Sequence, residues 1–541
     1  MPVEILEEIF CQHPRRTAGQ YFPLHGSHRC GDDEGRVCTR HCWIVVSHVC
    51  RRWRAIALRC PRLWSRLDMS LNAEWMSELV ARSGTVPLEV TAYLEDPLIV
   101  KSGCDRRKIE EYEDSQARAL AVLLGALPRI RALHLFTEKP RLRQEMQTLL
   151  QEMPARALEI LSVQGPWVTT ARPNTSPDGR AVFATLLRYT HTPLLQRLLV
   201  MNCPVRLDGL ISSTLKHLSI GISGGDAFMC PDVWEVLRIL QNTPSLESAN
   251  IFCDGCAPME FPELHPEFYG RVVLQHLRSL HLSTTESECA ELLTHLGAPR
   301  LSSLTIHVTR DAAQLSQLLP VIVELLPGLN DVRGLCIGLS DYYGDPCFYI
   351  KTTTPEPEQV TVDLSGVVSS KFAVSRVTSH ICRYLPAQSL ETLLLYGDEL
   401  IPPFALYKVL AATHNVTSLT IEGPYAVESL SEGLTHNIDF EEDTLDFDLP
   451  PRLPRLEILT FRNVNFGPVS SDTNRALLKL QKHLWNGQAH GAGRGKLSAV
   501  HFMNCNIIDE SILTGYAKVT QTGNRFYAIR KIDASEEMGW S

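Results

Sequence analysis

The sequence predicts an α/β fold in which a small helical unit at the amino end is followed by a long array of alternating strands and helices. Three observations lead to this prediction. Short apolar motifs of fixed spacing recur through most of the chain, helical stretches lie between them, and two amphipathic helices precede the first motif. Because parallel strands need crossover connections, strand-then-helix repeats predict a parallel sheet with right-handed crossovers.

The recurring motif has the form Leu-x-x-Leu-x-Leu, with apolar residues at positions one, four and six. In a strand, positions four and six point to one face, and positions three, five and seven point to the other. Successive motifs start 20 to 58 residues apart, and the longest gap contains a degenerate strand at 359–364. The twelve motifs start at Ile130, Leu158, Leu195, Leu215, Leu246, Leu277, Leu301, Val332, Leu390, Val416, Leu456 and Leu497.

The residues between these motifs favour helices at 232–244, 288–299, 404–415 and 475–487, where apolar side chains recur at helical spacing. Together, motif and helices resemble an irregular form of the leucine-rich-repeat family over residues 120–515. The resemblance implies a horseshoe with parallel strands on its concave side and helices on its convex side. Residues 516–541 are predicted to form a C-terminal cap and tail.

The first amphipathic helix lies at the very start of the sequence. Pro2 suits the first helical turn, and Ile5, Leu6, Ile9 and Phe10 form an apolar stripe. A helix this short cannot bury that stripe by itself, so another part of the chain or another protein must cover it.

The second amphipathic helix follows Ser47, a predicted N-cap, and must end before Pro61. Several arginines lie off its apolar face and form a basic segment. We interpret that segment as a solvated rim, with a site for an acidic partner as the alternative. The apolar face carries Val49, Cys50, Trp53 and Ile56.

Three blocks of the first 70 residues, MPVEIL at 1–6, VCRRWRAIA at 49–57 and PRLW at 61–64, resemble the F-box, particularly the form common in mushroom-type fungi. The resemblance implies a small helical unit that docks on the Skp-type adaptor of cullin–RING ubiquitin ligases. This chain departs from the family by a loop insert at 12–42, and by Met1, which stands where the family usually has Leu and would fit a natural start further upstream. The adaptor-binding residues that the resemblance implies are Pro2, Ile5, Leu6, Ile9, Val49, Cys50, Trp53 and Ile56.

The insert at 12–42 and the segment 71–119 separate these regions. The insert is rich in polar residues and glycine, which favours a surface loop. A zinc site is the alternative, but the ligand spacings match no known zinc finger. Segment 71–119 is predicted to be a transition with a helix at 74–82 and a strand at 86–90. The possible zinc ligands are His25, His28, Cys30, Cys38, His41 and Cys42.

Composition excludes several functional classes. The net charge of -9 and pI near 6.1 disfavour a nucleic-acid-binding protein. Sixteen cysteines among 541 residues are too few for a disulfide scaffold, and no apolar run reaches the roughly 20 residues needed to span a membrane. We therefore expect an intracellular protein, cytoplasmic or nuclear, that does not bind membranes.

The motifs of catalysis are missing from the sequence. It contains no His-Glu-x-x-His, no Gly-x4-Gly-Lys-Ser/Thr and no Gly-x-Ser-x-Gly, so we predict a protein that is not an enzyme and has no cofactor. The resemblance implies a substrate-recognition subunit of a Skp–cullin–F-box ubiquitin ligase, which contacts a cullin through the adaptor. The alternative is a non-catalytic repeat scaffold that takes no part in ubiquitination.

A client protein would bind the strand face that carries positions five and seven of each motif. Phe, Tyr, Met, Arg and His occur there, and aromatic residues, Met and Arg are enriched at protein interfaces. The alternative interpretation is that many of these side chains are covered by packing between repeats or by loops and do not contact a client. The predicted client-binding residues are His134, Phe136, Met201, Phe252, His281, His307, Tyr396, Arg462, His501 and Met503.

Overall fold

The computed structural model divides the chain into two compact units, Met1–Asn250 and Ile251–Ser541. Both are mixed α/β structures in which the strands of mostly parallel sheets alternate with helices. The division falls within the strand Ser248–Asp254, and the boundaries 70/71 and 119/120 stay predictions. The residues that the structure describes are 1–12, 44, 46–69, 72–94, 106–137, 155–165, 192–202, 213–223, 233–254, 270–309, 315–342, 345–354, 360–367, 371–385, 387–397, 400–423, 425–435, 453–464, 466, 473, 475–480, 498–505 and 519–522.

The N-terminal unit opens with helices. They are α1 (Val3–Gln12), α2 (Arg51–Arg59), α3 (Ala73–Arg82), α4 (Arg106–Gly125) and α5 (Val233–Gln241), with 3-10 turns at Pro61–Trp64 and Leu127–Arg129. Helix α1 packs on α2 and on the first 3-10 turn. The Trp64 indole Nε1 donates a hydrogen bond to the Ala57 carbonyl (2.7 Å) and so joins this turn to α2.

The limits of α2 confirm one sequence prediction and contradict another. The helix ends at Arg59, just before Pro61, as the restricted backbone before proline requires. The predicted N-cap, Ser47, is wrong, because its hydroxyl donates to the Ile44 carbonyl instead. Cys50 caps the helix, since its backbone is extended and its Sγ accepts from the Trp53 amide.

Six parallel strands form the sheet of the N-terminal unit in chain order. They are β1 (Arg66–Asp68), β2 (Leu88–Leu94), β3 (Ile130–Thr137), β4 (Ile160–Gln164), β5 (Arg197–Met201) and β6 (His217–Ser223). Strand β2 pairs with both β1 and β3, so the segment 71–119, predicted as a transition, supplies a strand of the sheet.

The remaining elements continue the alternation of strand and helix. The strands are β7 (Ser248–Asp254), β8 (Val272–Val273), β9 (Ser279–Thr284), β10 (Leu296–Gly297), β11 (Ser303–Val308), β12 (Gly334–Tyr342), β13 (Asp345–Thr353), β14 (Thr361–Val367), β15 (Thr392–Gly397), β16 (Ser418–Glu422), β17 (Ile458–Arg462), β18 (Ala499–Met503) and β19 (Val519–Thr522). The helices are α6 (Glu286–Thr294), α7 (Leu315–Leu325), α8 (Lys371–Tyr384), α9 (Pro403–Ala412) and α10 (Ala426–Thr435), with 3-10 turns at Pro327–Asp331 and Ala387–Ser389. In the described ranges, no helix is long and apolar enough to cross a membrane.

A hairpin interrupts the parallel order of the C-terminal unit, which corrects the expectation of a wholly parallel array. The strands pair in the order β9, β11, β14, β13, β12, β15, β16, β17, β18 and β19. Strand β13 is antiparallel to both neighbours, because only two residues connect it to β12, too few for a crossover. The degenerate strand predicted at 359–364 is confirmed as β14.

Aligned leucines hold neighbouring repeats together. In the register of β15 to β18, Leu393, Leu419, Leu459 and Val500 are successive partners, and all four are buried. Positions five and seven of the same strands are mostly half-exposed, so they form a second face of the sheet. We call this second face the open strand face of each unit.

The chain leaves four of the strands through a residue with left-handed backbone. These residues directly follow β5, β16, β17 and β18, and they are Asn202, Gly423, Asn463 and Asn504, with positive φ. Asparagine and glycine tolerate this conformation better than other residues. At Gly423, where φ is +95°, an added Cβ would also lie 2.5 Å from the Gly397 carbonyl oxygen.

We predict that Gly423→Ala destabilises the C-terminal unit by more than about 1 kcal/mol, because both its φ and the backbone contact oppose a side chain. The measurement is the urea midpoint followed by circular dichroism. Gly125→Ala is the matched control, since Gly125 ends a helix and has open space around it. An unchanged midpoint for Gly423→Ala would contradict the assignment of this turn.

Candidate functional site

Helix α1 carries two apolar stripes with different surroundings. Leu6 and Phe10 are buried, and the Phe10 ring lies 5.1 Å from that of Trp53 on α2. Ile5 and Ile9, also four residues apart, keep 51% and 48% of their surface exposed. The stripe of Leu6 and Phe10 therefore packs within the N-terminal unit, and the stripe of Ile5 and Ile9 faces solvent.

The start of α2 adds a third exposed apolar side chain to this region. Val49 directly precedes the N-cap and is 57% exposed. The Arg52 guanidinium donates to the Met1 carbonyl (2.6 Å), which brings the first turn of α1 close to the first turn of α2. We call Ile5, Ile9 and Val49 the N-terminal apolar surface.

The predicted adaptor-binding residues therefore fall into two groups. Leu6 (3% exposed) and Ile56 (7% exposed) are buried within the unit, so adaptor binding by these two side chains stays a prediction. Trp53 is half-buried. The predicted residues that are exposed are Pro2, Ile5, Ile9, Val49 and Cys50.

Charged side chains of both signs lie beside the N-terminal apolar surface. Helix α2 contains four arginines, all exposed, and no acidic residue. Helix α1 contributes Glu4, Glu7 and Glu8, and Glu8 pairs with Arg62 of the following 3-10 turn at 3.0 Å. The surface thus has a basic side on α2 and an acidic side on α1.

The predicted client-binding residues of the N-terminal unit lie on its open strand face. Phe136, Gln164 and Met201 are successive partners across β3, β4 and β5, so the two predicted residues lie two strands apart in one row. His134, one row below Phe136, is half-buried, and burial lowers its pKa.

The predicted residues of the C-terminal unit also lie in rows across its open strand face. The Phe252 and His281 rings meet edge to face at 4.7 Å. Tyr396, Glu422, Arg462 and Met503 are successive partners along β15 to β18. His501 lies one row below Met503. Arg462 Nη1 is 3.5 Å from the Glu422 carboxylate. This ion pair between neighbouring strands partly neutralises the charge of the Arg462 guanidinium.

His307 lies in a cluster of polar side chains. The sequence predicted His307 as a binding residue but missed the other members of this cluster. His307 Nδ1 lies 3.0 Å from the Ser365 hydroxyl, and the Tyr349 hydroxyl donates to Asp363 Oδ2 at 3.3 Å. Lys351 is the register partner of Asp363. We call His307, Tyr349, Lys351, Asp363 and Ser365 the hairpin cluster.

Sequence reasoning missed Tyr349 and Lys351 because β13 does not match the leucine motif, and it missed Asp363 and Ser365 because β14 was predicted only as a degenerate strand. The alternation of buried and half-exposed residues in β13 starts directly after a short turn. The residues of β13 on the open strand face therefore do not occupy positions that the motif specifies. The signal that would have found them is period-two alternation in FYIKTT, directly after the turn-forming segment YYGDP.

Burial shapes the chemistry of the hairpin cluster. It raises the pKa of Asp363, while Lys351 and the Tyr349 hydroxyl oppose this shift. Burial also raises the pKa of Cys336, beside Lys351, to about 12. A thiol with that pKa is protonated at neutral pH and is a poor nucleophile. The cluster is therefore better suited to hydrogen bonding than to covalent chemistry.

Two glycines keep the sheet next to the hairpin cluster free of side chains. A Cβ on Gly338 would lie 2.9 Å from Tyr396, and a Cβ on Gly366 would lie 3.0 Å from Val308. The Gly338 position lets the Tyr396 side chain lie close to the backbone of β12, beside Tyr349 in the register. The result is a surface on which two tyrosines flank one glycine.

The described part of the chain contains no group of three or more His, Cys, Asp or Glu side chains that could hold a metal ion. The six possible zinc ligands in the insert at 12–42 lie outside the described residues. This is also true of Cys256, the second cysteine of the Cys-x2-Cys sequence that begins at Cys253.

Comparisons with known proteins do not identify this chain. No family model matches it, and no curated protein matches it. Among solved structures, it is similar to a Bacteroides fragilis protein determined by the Northeast Structural Genomics Consortium, with a TM-score of 0.25 and 10% sequence identity. That similarity covers 69% of this chain and 80% of the other, and at this TM-score it carries no argument about function.

We predict that Asp363→Asn raises the stability of the protein at pH 8. Burial makes the folded protein hold the Asp363 proton more readily than the unfolded chain does. The carboxylate therefore lowers stability above the folded-state pKa, and this loss shrinks as the pH falls through that pKa towards the ordinary value of 3.8.

The measurement is the urea midpoint of wild type and variant at pH 8 and pH 4.5. The variant should have the higher midpoint at pH 8 and a smaller advantage at pH 4.5. Asp331→Asn, at an exposed position of the same unit, is the control. An advantage that grows as the pH falls would show that burial of the carboxylate is not the dominant effect.

Proposed function

We propose that this protein is the substrate-recognition subunit of a Skp–cullin–F-box ubiquitin ligase. In this proposal the N-terminal helices bind the Skp-type adaptor, and the open strand face binds a client protein. The observation that carries the proposal is the N-terminal apolar surface, because Ile5, Ile9 and Val49 are about half-exposed on or directly beside helices that bury Leu6, Phe10 and Ile56. The resemblance of the same segment to the F-box supports this assignment.

The energy available at this surface is sufficient for a specific complex. Full burial of one such side chain contributes about 1.5–3 kcal/mol. Because each is already about half-buried, three together contribute roughly half of the full sum, and neighbouring polar contacts add to this. An exposed apolar patch with a polar rim is typical of a protein interface.

The arginines of α2 add selectivity to this apolar centre. Four exposed arginines without an acidic residue on α2 favour acidic groups on the part of the partner that faces α2, and they speed its encounter with the helix. The proposal therefore takes the basic segment as a site for an acidic partner, which was the alternative to a solvated rim.

The client would bind the open strand face of the C-terminal unit. Tyr349, Tyr396 and Arg462 lie there, and Tyr and Arg carry a large share of binding energy at many interfaces. In this function the protein forms no covalent bond with its client. It raises the local concentration of the client beside the ubiquitin-charged enzyme that the cullin recruits.

A repeat scaffold without a role in ubiquitination is the second candidate. The observation that favours it is the burial of Leu6, Phe10 and Ile56, since helices that use these side chains for packing within their own unit act as an N-terminal cap. The two candidates differ in one property, since only the first requires the exposed stripe of α1 to bind an adaptor.

We predict that Ile5→Asp with Ile9→Asp lowers the affinity for a purified Skp-type adaptor at least about 100-fold, because two apolar contacts are replaced by two desolvated carboxylates. The measurement is isothermal titration with the full chain. Both side chains are exposed, so the variant should unfold at the wild-type temperature.

The matched control is Val273→Asp with Leu478→Asp, since these side chains are equally exposed elsewhere. It should bind the adaptor as the wild type does. Wild-type protein that does not bind the adaptor, or a double variant at Ile5 and Ile9 that binds normally, would support the scaffold instead.

A further inference from the structure

Two adjacent helices of the C-terminal unit carry only positive charge. Neither α8 nor α9 contains an aspartate or a glutamate, although the chain as a whole has 61 acidic residues against 52 lysines and arginines. The two helices pack against each other. The next helix, α10, again contains acidic residues, so the segregation is local.

The basic side chains of these helices meet on one surface. Arg376, His380 and Arg383 lie at positions i, i+4 and i+7 of α8, on the side opposite the buried Val377 and Ile381. Arg376 and Arg383 are exposed, and His380 is half-buried.

A side chain of α9 joins this stripe. Lys408 Nζ donates to the Ser379 hydroxyl at 2.7 Å, and Ser379 is the residue before His380. The same ammonium lies 4.3 Å from the centroid of the Phe404 ring, which holds it in place. We call Arg376, His380, Arg383 and Lys408 the basic helix surface.

Arg376 and Arg383 differ from other arginines of the unit in their surroundings. Elsewhere in the unit, Arg333 pairs with Glu391 and Arg462 pairs with Glu422. No described carboxylate lies within ion-pair distance of Arg376 or Arg383. Burial lowers the pKa of His380, and Arg376, Arg383 and Lys408 lower it further, with no acidic residue opposing them. The lowered pKa of His380 therefore agrees with a positive electrostatic potential at this surface.

We infer that the basic helix surface is a docking site for an acidic peptide segment of a partner protein. The exposed guanidinium groups of Arg376 and Arg383, two turns apart on one side of α8, match carboxylates spaced along a short extended segment. Nucleic acid fits less well, because a long polyanion extends beyond the Debye length of about 8–10 Å and meets the net charge of -9 of the whole chain. The inference does not depend on adaptor binding, since it concerns different helices.

The test is fluorescence anisotropy of a fluorescein-labelled peptide of ten glutamates with the full chain at low salt. The wild type should bind the peptide, and its affinity should fall as salt is added. Arg376→Glu with Arg383→Glu should weaken binding at least about tenfold, because two attractive contacts become repulsive. Arg278→Glu with Arg300→Glu, the same charge change at two exposed arginines of the unit, should change affinity less than about twofold.

Three results would overturn the inference. They are absence of binding by the wild type, an equal loss in the control variant, and tighter binding of a ten-nucleotide thymidine strand than of the peptide. If the first variant has a lower melting temperature, Arg376→Gln with Arg383→Gln replaces it. This milder change should give an intermediate loss of affinity, and normal affinity in that variant would also overturn the inference.

Discussion

The register of the parallel strands is the constraint on which the rest of the structure depends. Adjacent strands align their leucines, as at Leu393, Leu419 and Leu459, and a slip of one residue would place all of them on the opposite face. That alignment fixes which side chains face outward. It also explains why an antiparallel strand can be inserted at β13, since Ile350 pairs with Ile337 and Leu364 and keeps the alternation intact. The hairpin cluster exists because of this insertion.

The N-terminal helices are not governed by strand register. They have more apolar surface than the rest of their unit covers. Leu6 and Phe10 are buried against the rest of the unit, while Ile5 and Ile9, on the adjacent side of the same helix, remain exposed. In the proposed function the two stripes of α1 have separate roles. One packs the helix on α2 and on the following 3-10 turn, and the other receives the adaptor, so the docking surface is held in place by the core of its own unit.

Much of this architecture could be predicted from the sequence, because burial imposes periodicity. The motif placed β3 to β6 and β15 to β18, and Pro61 marked the end of α2. Local chemistry alone could not give the partners of a strand, so β13 was missed, and with it the contact between Tyr349 on β13 and Asp363 on β14. Nor could periodicity separate the buried stripe of α1 from the exposed one, since both consist of similar side chains. That distinction depends on which side α2 occupies.

The central claim is that the exposed stripe of α1 and the start of α2 form the surface that a Skp-type adaptor covers. Hydrogen–deuterium exchange of the full chain, with and without purified adaptor, tests it directly. The account predicts that the adaptor slows exchange in residues 1–12 and 49–59 and leaves β15 to β18 unchanged. Unchanged exchange in both N-terminal segments at saturating adaptor, or protection confined to the repeat strands, would contradict it.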